Sequence, residues 1–338
     1  MKAIVVNHDY SLTSEEVATP VPDPKEILIK VQCAGVNRAD LMQRRGFYPP
    51  PLGASKILGL ECAGTVASIG SSCKRYQVGD AVCALLPGGG YAEYVAVDEG
   101  SALPIPVGFS FEQAASLPEV FATAWLNLFD EGALEKNSTV LIHAGASGVG
   151  TAAIQLCRAY DSRACVTVGS QLKLKRCLEL GAVDGSVRTD GDFWDRLESF
   201  TSPFGYDVIL DPVGGHYLEK NLSLLNPKGR LIIIGLMSGS KANVNLSQLL
   251  MKRIRIIGST LRNRSLSQKA ALMSRLEKEV WPRFASGELV PVVEAIYSFS
   301  QAQEAHELME SNDTIGKIIL SKKNKQDSSE SNVSNKKN

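Results

Sequence analysis

The chain has 338 residues, 44% of them apolar, and its 36 basic and 36 acidic residues leave a formal net charge of zero. That length suits two domains better than one, and the balanced charge argues against nucleic acid as a primary partner, because phosphate-backbone binders carry a basic excess. No apolar run approaches a membrane span, and the seven cysteines (33, 62, 73, 83, 157, 165, 177) include no C-x-x-C pair, so they read as reduced core thiols of a cytoplasmic protein.

Residues 1–6 read as a strand rather than as a signal peptide, and the alternating stretch 26–31 reads as another. Glycines and prolines are frequent up to about residue 118, among them Pro20, Pro22, Pro24, Gly53, Gly59, Gly64 and Gly70. Short strands with tight turns there predict a small β-rich barrel. The pattern then changes. A β-branched apolar run over 139–143 predicts a buried strand, a Gly/Ser/Ala turn follows over 144–150, and 151–160 has helical apolar spacing. Strands over 163–168, 185–187, 207–211, 230–235 and 254–258 alternate with helices over 172–180, 193–200, 217–225 and 245–252. Six strands with crossover helices predict a doubly wound parallel sheet of Rossmann type. A long helix over 266–284, a strand over 292–299, a helix over 301–310 and a last strand over 317–320 complete the order.

The strand, turn and helix over 139–160 suit a dinucleotide pyrophosphate, since small residues let the backbone approach and a helix N-terminus offers N–H groups. Gly145 and Gly150 match the first and third positions of G-x-G-x-x-G; Ser147 stands at the second and is expected to crowd the turn, with Gly148 relieving it. Alone the turn fits an ordinary strand-to-helix connection equally well, and the six-strand context favours the cofactor. An NAD site places Asp or Glu at the end of the second strand. Here that strand ends Val168-Gly169-Ser170, without a carboxylate, and Ser170, Lys173 and Arg188 are candidates for a 2′-phosphate. NADPH is therefore expected over NADH. The tail from Ser321 is polar and is expected to be disordered.

Several motifs together carry a family resemblance. They are Cys33-Ala-Gly-Val-Asn-Arg-Ala-Asp40, Gly46-Phe-Tyr-Pro-Pro-Pro51, Gly59-Leu-Glu-Cys-Ala-Gly-Thr-Val66, Val78-Gly-Asp-Ala-Val82, the turn over 144–150 and Gly258-Ser-Thr-Leu-Arg262. Through about Leu320 the chain resembles the medium-chain dehydrogenase/reductase superfamily. Within it, His143-Ala-Gly, Gly235-Leu-Met237, Gln303-Glu-Ala-His306 and Gly316-Lys-Ile318 resemble the zinc-independent quinone oxidoreductases, the branch of zeta-crystallin and the tumour-suppressor-inducible enzymes.

The resemblance implies a Rossmann domain over 119–258 inserted in a β-rich GroES-like domain made of 1–118 and 259–320, with residues 321–338 as the tail. The nicotinamide and substrate would lie in the cleft between the domains. Zinc relatives use a Cys and a His where this chain has Asn37 and Leu60, so no metal site is expected. Without that Lewis acid the substrate must accept hydride readily, as quinones and conjugated enones do. By resemblance Tyr48 and Asn37 face the acceptor, Tyr48 either donating to its oxygen or shaping the pocket. Asn37, Arg38 and Thr123 would meet the nicotinamide side, Gly148 and Val149 the pyrophosphate. Gly235, Leu236, Met237, Ser259, Leu261, Arg262 and Lys317 would close around the nicotinamide. Relatives often carry Asn-Tyr after the third strand, where this chain has Val187-Arg188.

These expectations make the chain an NADPH-dependent quinone reductase acting on a small molecule, without membrane attachment, and a homodimer. An alkenal, enone or enoyl-thioester reductase is the alternative within the fold. A nucleotide-binding structural or RNA-associated protein of zeta-crystallin type is the alternative outside catalysis.

Overall fold

The computed structural model describes residues 1–201 and 203–322. The chain forms two compact units: Met1–Glu119, Arg262–Ala285 and Pro291 onward make the first, and Val120–Leu261 with Ser286–Val290 make the second.

The first unit opens with an antiparallel hairpin, β1 (Lys2–Val6) and β2 (Leu12–Glu16). β3 (Glu26–Val36) is the spine of its larger sheet, and its alternation buries Ile27, Ile29 and Val31 on one face. α1 (Arg38–Arg44), β4 (Glu61–Ile69), β5 (Ala81–Leu85), β6 (Tyr94–Asp98), β7 (Ala102–Pro104) and α2 (Phe111–Ala114) follow.

α3 (Pro118–Trp125) leads into the second unit and widens into a π turn over Leu126–Glu131. The unit then alternates β8 (Thr139–His143), α4 (Gly148–Ala159), β9 (Arg163–Val168), α5 (Gln171–Leu180), β10 (Asp184–Val187), α6 (Phe193–Thr201), β11 (Tyr206–Asp211), α7 (Leu218–Leu224), β12 (Leu225–Ile233), α8 (Leu246–Lys252) and β13 (Arg255–Gly258). The strands pair in parallel in the order β10-β9-β8-β11-β12-β13. The order reverses between β8 and β11, the switch point at which such sheets bind ligands. α5 stops as expected at Gly181, whose φ of 114° favours glycine.

The chain returns to the first unit through α9 (Leu266–Glu279), α10 (Trp281–Ala285), β14 (Val293–Ser298), α11 (Ala302–Ser311) and β15 (Lys317–Ser321). The single helix expected over 266–284 breaks at Val280, because Pro282 has no amide to donate and its ring meets the carbonyl one turn back. The sheet runs β14-β15-β3-β4-β5-β7, with β6 also paired to β3. Ser321, expected to begin the tail, is buried in β15; the tail from residue 323 lies outside the described residues. Six of the cysteines are buried, and Cys73 is only partly so.

Candidate functional site

In the second unit the turn after β8 is built for close approach. Ala144 adopts a left-handed φ of 53°. Ser147 then caps α4, its hydroxyl accepting from the Gly150 N–H at 3.1 Å. The helix therefore starts at Gly148, three residues before the expected Thr151. Ser147 does not crowd the turn; it is extended, and its oxygen is what the helix end requires. A Cβ on Gly145 would lie 2.7 Å from the Val166 side chain, and one on Gly150 2.5 Å from the Ala144 and Gly145 carbonyl oxygens. The Gly148 and Val149 amides open a twelve-residue helix and have no acceptor among the described residues. Such amides make an anion cradle.

His143 braces the cradle from below. Its ring nitrogens meet Thr167 Oγ1 at 2.9 Å and Asn221 Oδ1 at 2.7 Å, and the Asn221 amide donates to Asp211 Oδ2 at 3.0 Å. Asp211 Oδ1 accepts the amides of Val213 and Gly214 at 2.6 and 3.1 Å, which fixes the loop after β11. Burial pushes His143 below the usual imidazole range. Sequence reading missed this network, since Asn221 and Asp211 stand on different elements.

Four further cofactor candidates, Ser170, Arg188, Gly235 and Ser259, follow the C-terminal ends of parallel strands. Ser170 caps α5 by accepting from the Lys173 N–H at 3.4 Å. Arg188 follows β10, whose Val187 pairs with Val168; its exposed guanidinium lies beside Gly169, where a Cβ would sit 3.6 Å from Nε. At Gly235 a Cβ would lie 2.7 Å from the Pro212 carbonyl oxygen, and the next residues, Leu236 and Met237, are exposed. Ser259 follows β13, is 7% exposed, and its Oγ has no partner among the described residues. Leu261 is buried, and Thr123 is partly buried, with its carbonyl accepting from Asn127 Nδ2 at 2.8 Å. A glycine-walled turn, unbonded helix-end amides and an orphaned buried hydroxyl fit a bound dinucleotide.

The first unit brings a different set together through strand register. Gly35 of β3 stands beside Glu61, since Ala34 pairs with Cys62, and Lys317 stands beside Asn37, since Ile318 pairs with Val36. Lys317 Nζ lies 2.7 Å from Glu61 Oε1 and donates to Asn37 Oδ1 and the Val36 carbonyl, each at 2.6 Å. Asn37 Nδ2 donates to Glu61 Oε1 at 3.0 Å and Gly35 O at 3.3 Å. Glu61 Oε2 accepts the Glu119 N–H at 2.9 Å. Both ends of the Asn37 amide and all three Lys317 protons are thus engaged inside the unit. Asp40, beneath, accepts from the Asn37 and Gly59 amides at 2.8 and 2.9 Å, and burial raises its carboxyl to about 6. Arg38 points elsewhere, donating to the Met309 carbonyl at the end of α11 and to Asn312 Oδ1.

Tyr48 stands next to this cluster. Arg262 is 4% exposed and lies 5.4 Å from the Tyr48 ring centroid; it donates to the carbonyls of Pro87 and Tyr48 and to Gln43 Oε1. Through these bonds Arg262 props the loop that carries Tyr48. The Tyr48 hydroxyl has no partner among the described residues, and burial raises it above the usual phenol range, so it stays a donor. Two further residues were not legible in the sequence. Glu119 opens α3 and is raised to about 8, first by burial and then by Glu61. Lys269 of α9 is 5% exposed. Pro118-Glu119 reads as an ordinary helix start, and Lys269 sits in a polar run that reads as solvated.

Two family models match the chain: an alcohol dehydrogenase GroES-like domain over residues 23–107 and a zinc-binding dehydrogenase domain over 148–277. The human synaptic vesicle membrane protein VAT-1 homolog is 31% identical over 327 residues, covering 91% of this chain and 82% of that protein. The chain belongs to the zinc-independent, quinone oxidoreductase-like branch of the medium-chain dehydrogenase/reductase superfamily. Human quinone oxidoreductase is 29% identical over 311 residues, covering 90% of this chain and 92% of that protein. The structure of Escherichia coli quinone oxidoreductase complexed with NADPH superposes with a TM-score of 0.84 at 29% identity, covering 95% of this chain and 98% of that one. As a member of this branch the chain is an oxidoreductase with a GroES-like and a Rossmann domain.

The zinc implied by the wider family does not fit the residues present. An engaged amide at Asn37, an aliphatic side chain at Leu60 and a lysine-paired carboxylate at Glu61 are not a zinc donor set. Among the described residues no helix is long and apolar enough to cross a membrane.

Proposed function

We propose that the chain is an NADPH-dependent quinone reductase. The observation that carries the reading is the Lys317–Glu61–Asn37 cluster, which neutralises itself around Asn37, one of the two positions zinc relatives use to hold the metal. An acceptor held there must be electron-poor in its own right, as a quinone is. Gly148 and Val149 would hold the pyrophosphate, and Ser170, Lys173 and Arg188 the 2′-phosphate. Gly235, Leu236, Met237 and Ser259 would border the nicotinamide. When bound, the reduced nicotinamide supplies hydride. The chain's own part is to orient the acceptor, keep water out and meet the negative charge on its oxygen with the Tyr48 hydroxyl.

The test is NADPH oxidation by the purified chain over 1,2- and 1,4-quinones, enals and acyl thioesters. Quinone turnover without enal turnover supports the proposal. Turnover of enals or thioesters alone replaces it with a double-bond reductase, and tight NADPH binding without any turnover points to a nucleotide-binding structural protein. Ser170→Ala with Lys173→Ala should weaken NADPH far more than NADH; equal losses would remove the 2′-phosphate assignment. A homodimer is part of the same reading, supported by exposed Leu246, Leu250 and Met251 on α8 and by β13 standing at the end of the parallel sheet. A reducing, cytosolic setting agrees with seven free cysteines.

A further inference from the structure

Two loops of the second unit, after β11 and after β12, are joined backbone to backbone. The Pro212 carbonyl accepts the Met237 N–H at 3.2 Å, and the Val213 carbonyl accepts the Ser238 N–H at 2.7 Å and the Ser238 hydroxyl at 2.9 Å. The Gly215 N–H donates to the Gly239 carbonyl at 3.0 Å, and a Cβ on Gly214 would lie 3.0 Å from the Leu236 side chain. The loop that carries exposed Leu236 and Met237 therefore takes its shape from the loop after β11. Asp211 holds that loop in turn, its Oδ1 accepting the Val213 and Gly214 amides. Behind Asp211 the bonds run on through Asn221 to His143, the residue that enters the turn after β8. The Asp211 carboxyl accepts in all three of these bonds, so a proton placed on it would face only donors. Burial raises this carboxyl, and the three donors favour its ionised form. Asn221 must then turn Nδ2 to Asp211 and Oδ1 to His143. His143 must offer Nε2–H, which leaves its Nδ1 to accept from the Thr167 hydroxyl. One buried charge thus orders every bond in the chain.

We infer that Asp211 is a positioning residue for the nicotinamide end of a bound dinucleotide, its charge aligning the chain of hydrogen bonds from His143 to Met237. This rests on the reductase reading above. Asp211 is fully buried and acts through backbone, not by touching the cofactor. A ring lying against Leu236 and Met237 needs a firm wall, because about 1 Å of misplacement is enough to slow a transfer. The Met237 and Ser238 amides are tied to the loop that Asp211 shapes, so that wall is as firm as the Asp211 bonds. Ser170 and Arg188, at the adenosine end, make no hydrogen bond to this chain among the described residues. A disturbance at Asp211 is therefore felt by the nicotinamide half of the cofactor and not by the adenosine half.

Two measurements on the full chain test the role. In the cofactor-free parent carrying isotope-labelled histidine, long-range proton–nitrogen correlation should show His143 as the Nε2–H tautomer, its signal identified by loss in His143→Gln. An Nδ1–H tautomer overturns the directed chain. Asp211→Asn replaces the carboxylate by an amide of the same shape, with thermal melting as the check on folding. Its Kd for NADPH should rise about tenfold, the worth of one hydrogen bond to a charged group, and the fluorescence of the bound nicotinamide should change. Its Kd for 2′,5′-ADP, which lacks the nicotinamide, should change less than about twofold. Equal losses for the two ligands, or no loss for NADPH, overturn the positioning role. Should Asp211→Asn fail to fold, Ser238→Ala cuts the same joint at its exposed side and should give the same split to a smaller degree; no split there overturns the role as well. Failure of the parent to bind either ligand would sink the reductase reading and the positioning role with it, while an Nε2–H tautomer would leave the directed chain standing.

Discussion

Lys317 and Glu61 meet as a buried ion pair, Nζ to Oε1 2.7 Å, with 4% of one side chain and none of the other exposed. Two strand ends, β15 and β4, are clamped through it across β3. Lys317→Met leaves the Glu61 charge buried and unpaired, which costs about 3–5 kcal/mol. Urea unfolding should show that loss. Adding Glu61→Gln in the same chain should recover part of it, because the stranded charge is then gone; no recovery would mean that the lysine acts through packing.

His306 gives the protein an acid-sensitive point. It is fully buried, its Nε2 lies 3.2 Å from the Tyr91 hydroxyl, and its Nδ1 has no partner among the described residues. Burial, and next the Arg44 charge, lower it from 6.5 to about 3. Between those values the unfolded chain takes up a proton that the folded chain refuses. Stability is therefore lost as pH falls below about 6.5, by up to ~1.4 kcal/mol per pH unit. Asp40, raised from 3.8 to about 6, acts with the opposite sign from about 4 to 6. The measurement is thus the difference in unfolding free energy between the parent and His306→Gln across pH 4–7, which should grow toward neutral pH in favour of the parent.

Ser259 separates folding from binding. Its Oγ is buried and unpartnered, so Ser259→Ala removes no hydrogen bond from the folded chain. Unfolding free energy should change by less than about 0.5 kcal/mol, or rise slightly. The Kd for NADPH, measured by calorimetry, should rise several-fold. A large stability loss with unchanged affinity would show that the hydroxyl serves the fold.

Gly150→Ala should have the opposite balance to a surface glycine change. The added Cβ would meet the Ala144 and Gly145 carbonyl oxygens at 2.5 Å, both of them backbone atoms that must move. The cost is about 1–3 kcal/mol from overpacking, and NADPH binding should fall at least tenfold because the turn opens. Differential scanning calorimetry with and without NADPH checks both effects.

The second unit was legible because its pattern is local. Each strand and helix announces itself by period, and Gly181 acts on its immediate neighbours. Even the misreadings there are local, such as a helix beginning at Gly148 under the Ser147 cap rather than at Thr151. The glycine turn after β8 was legible for the same reason.

The polar cluster of the first unit was not. Asn37, Glu61, Glu119, Lys269 and Lys317 lie on five elements, and no spacing in the chain relates them. Residue types and periodicity determined by themselves the elements, the parallel sheet and the glycine turn after β8, and the family resemblance implied the loss of zinc ligands at 37 and 60. Only the tertiary structure decided which of those side chains are open and which are already engaged. Strand register placed Lys317 against Asn37 and Glu61, and burial then made every unmatched charge costly, so the pairing of each polar group depends on neighbours hundreds of residues away.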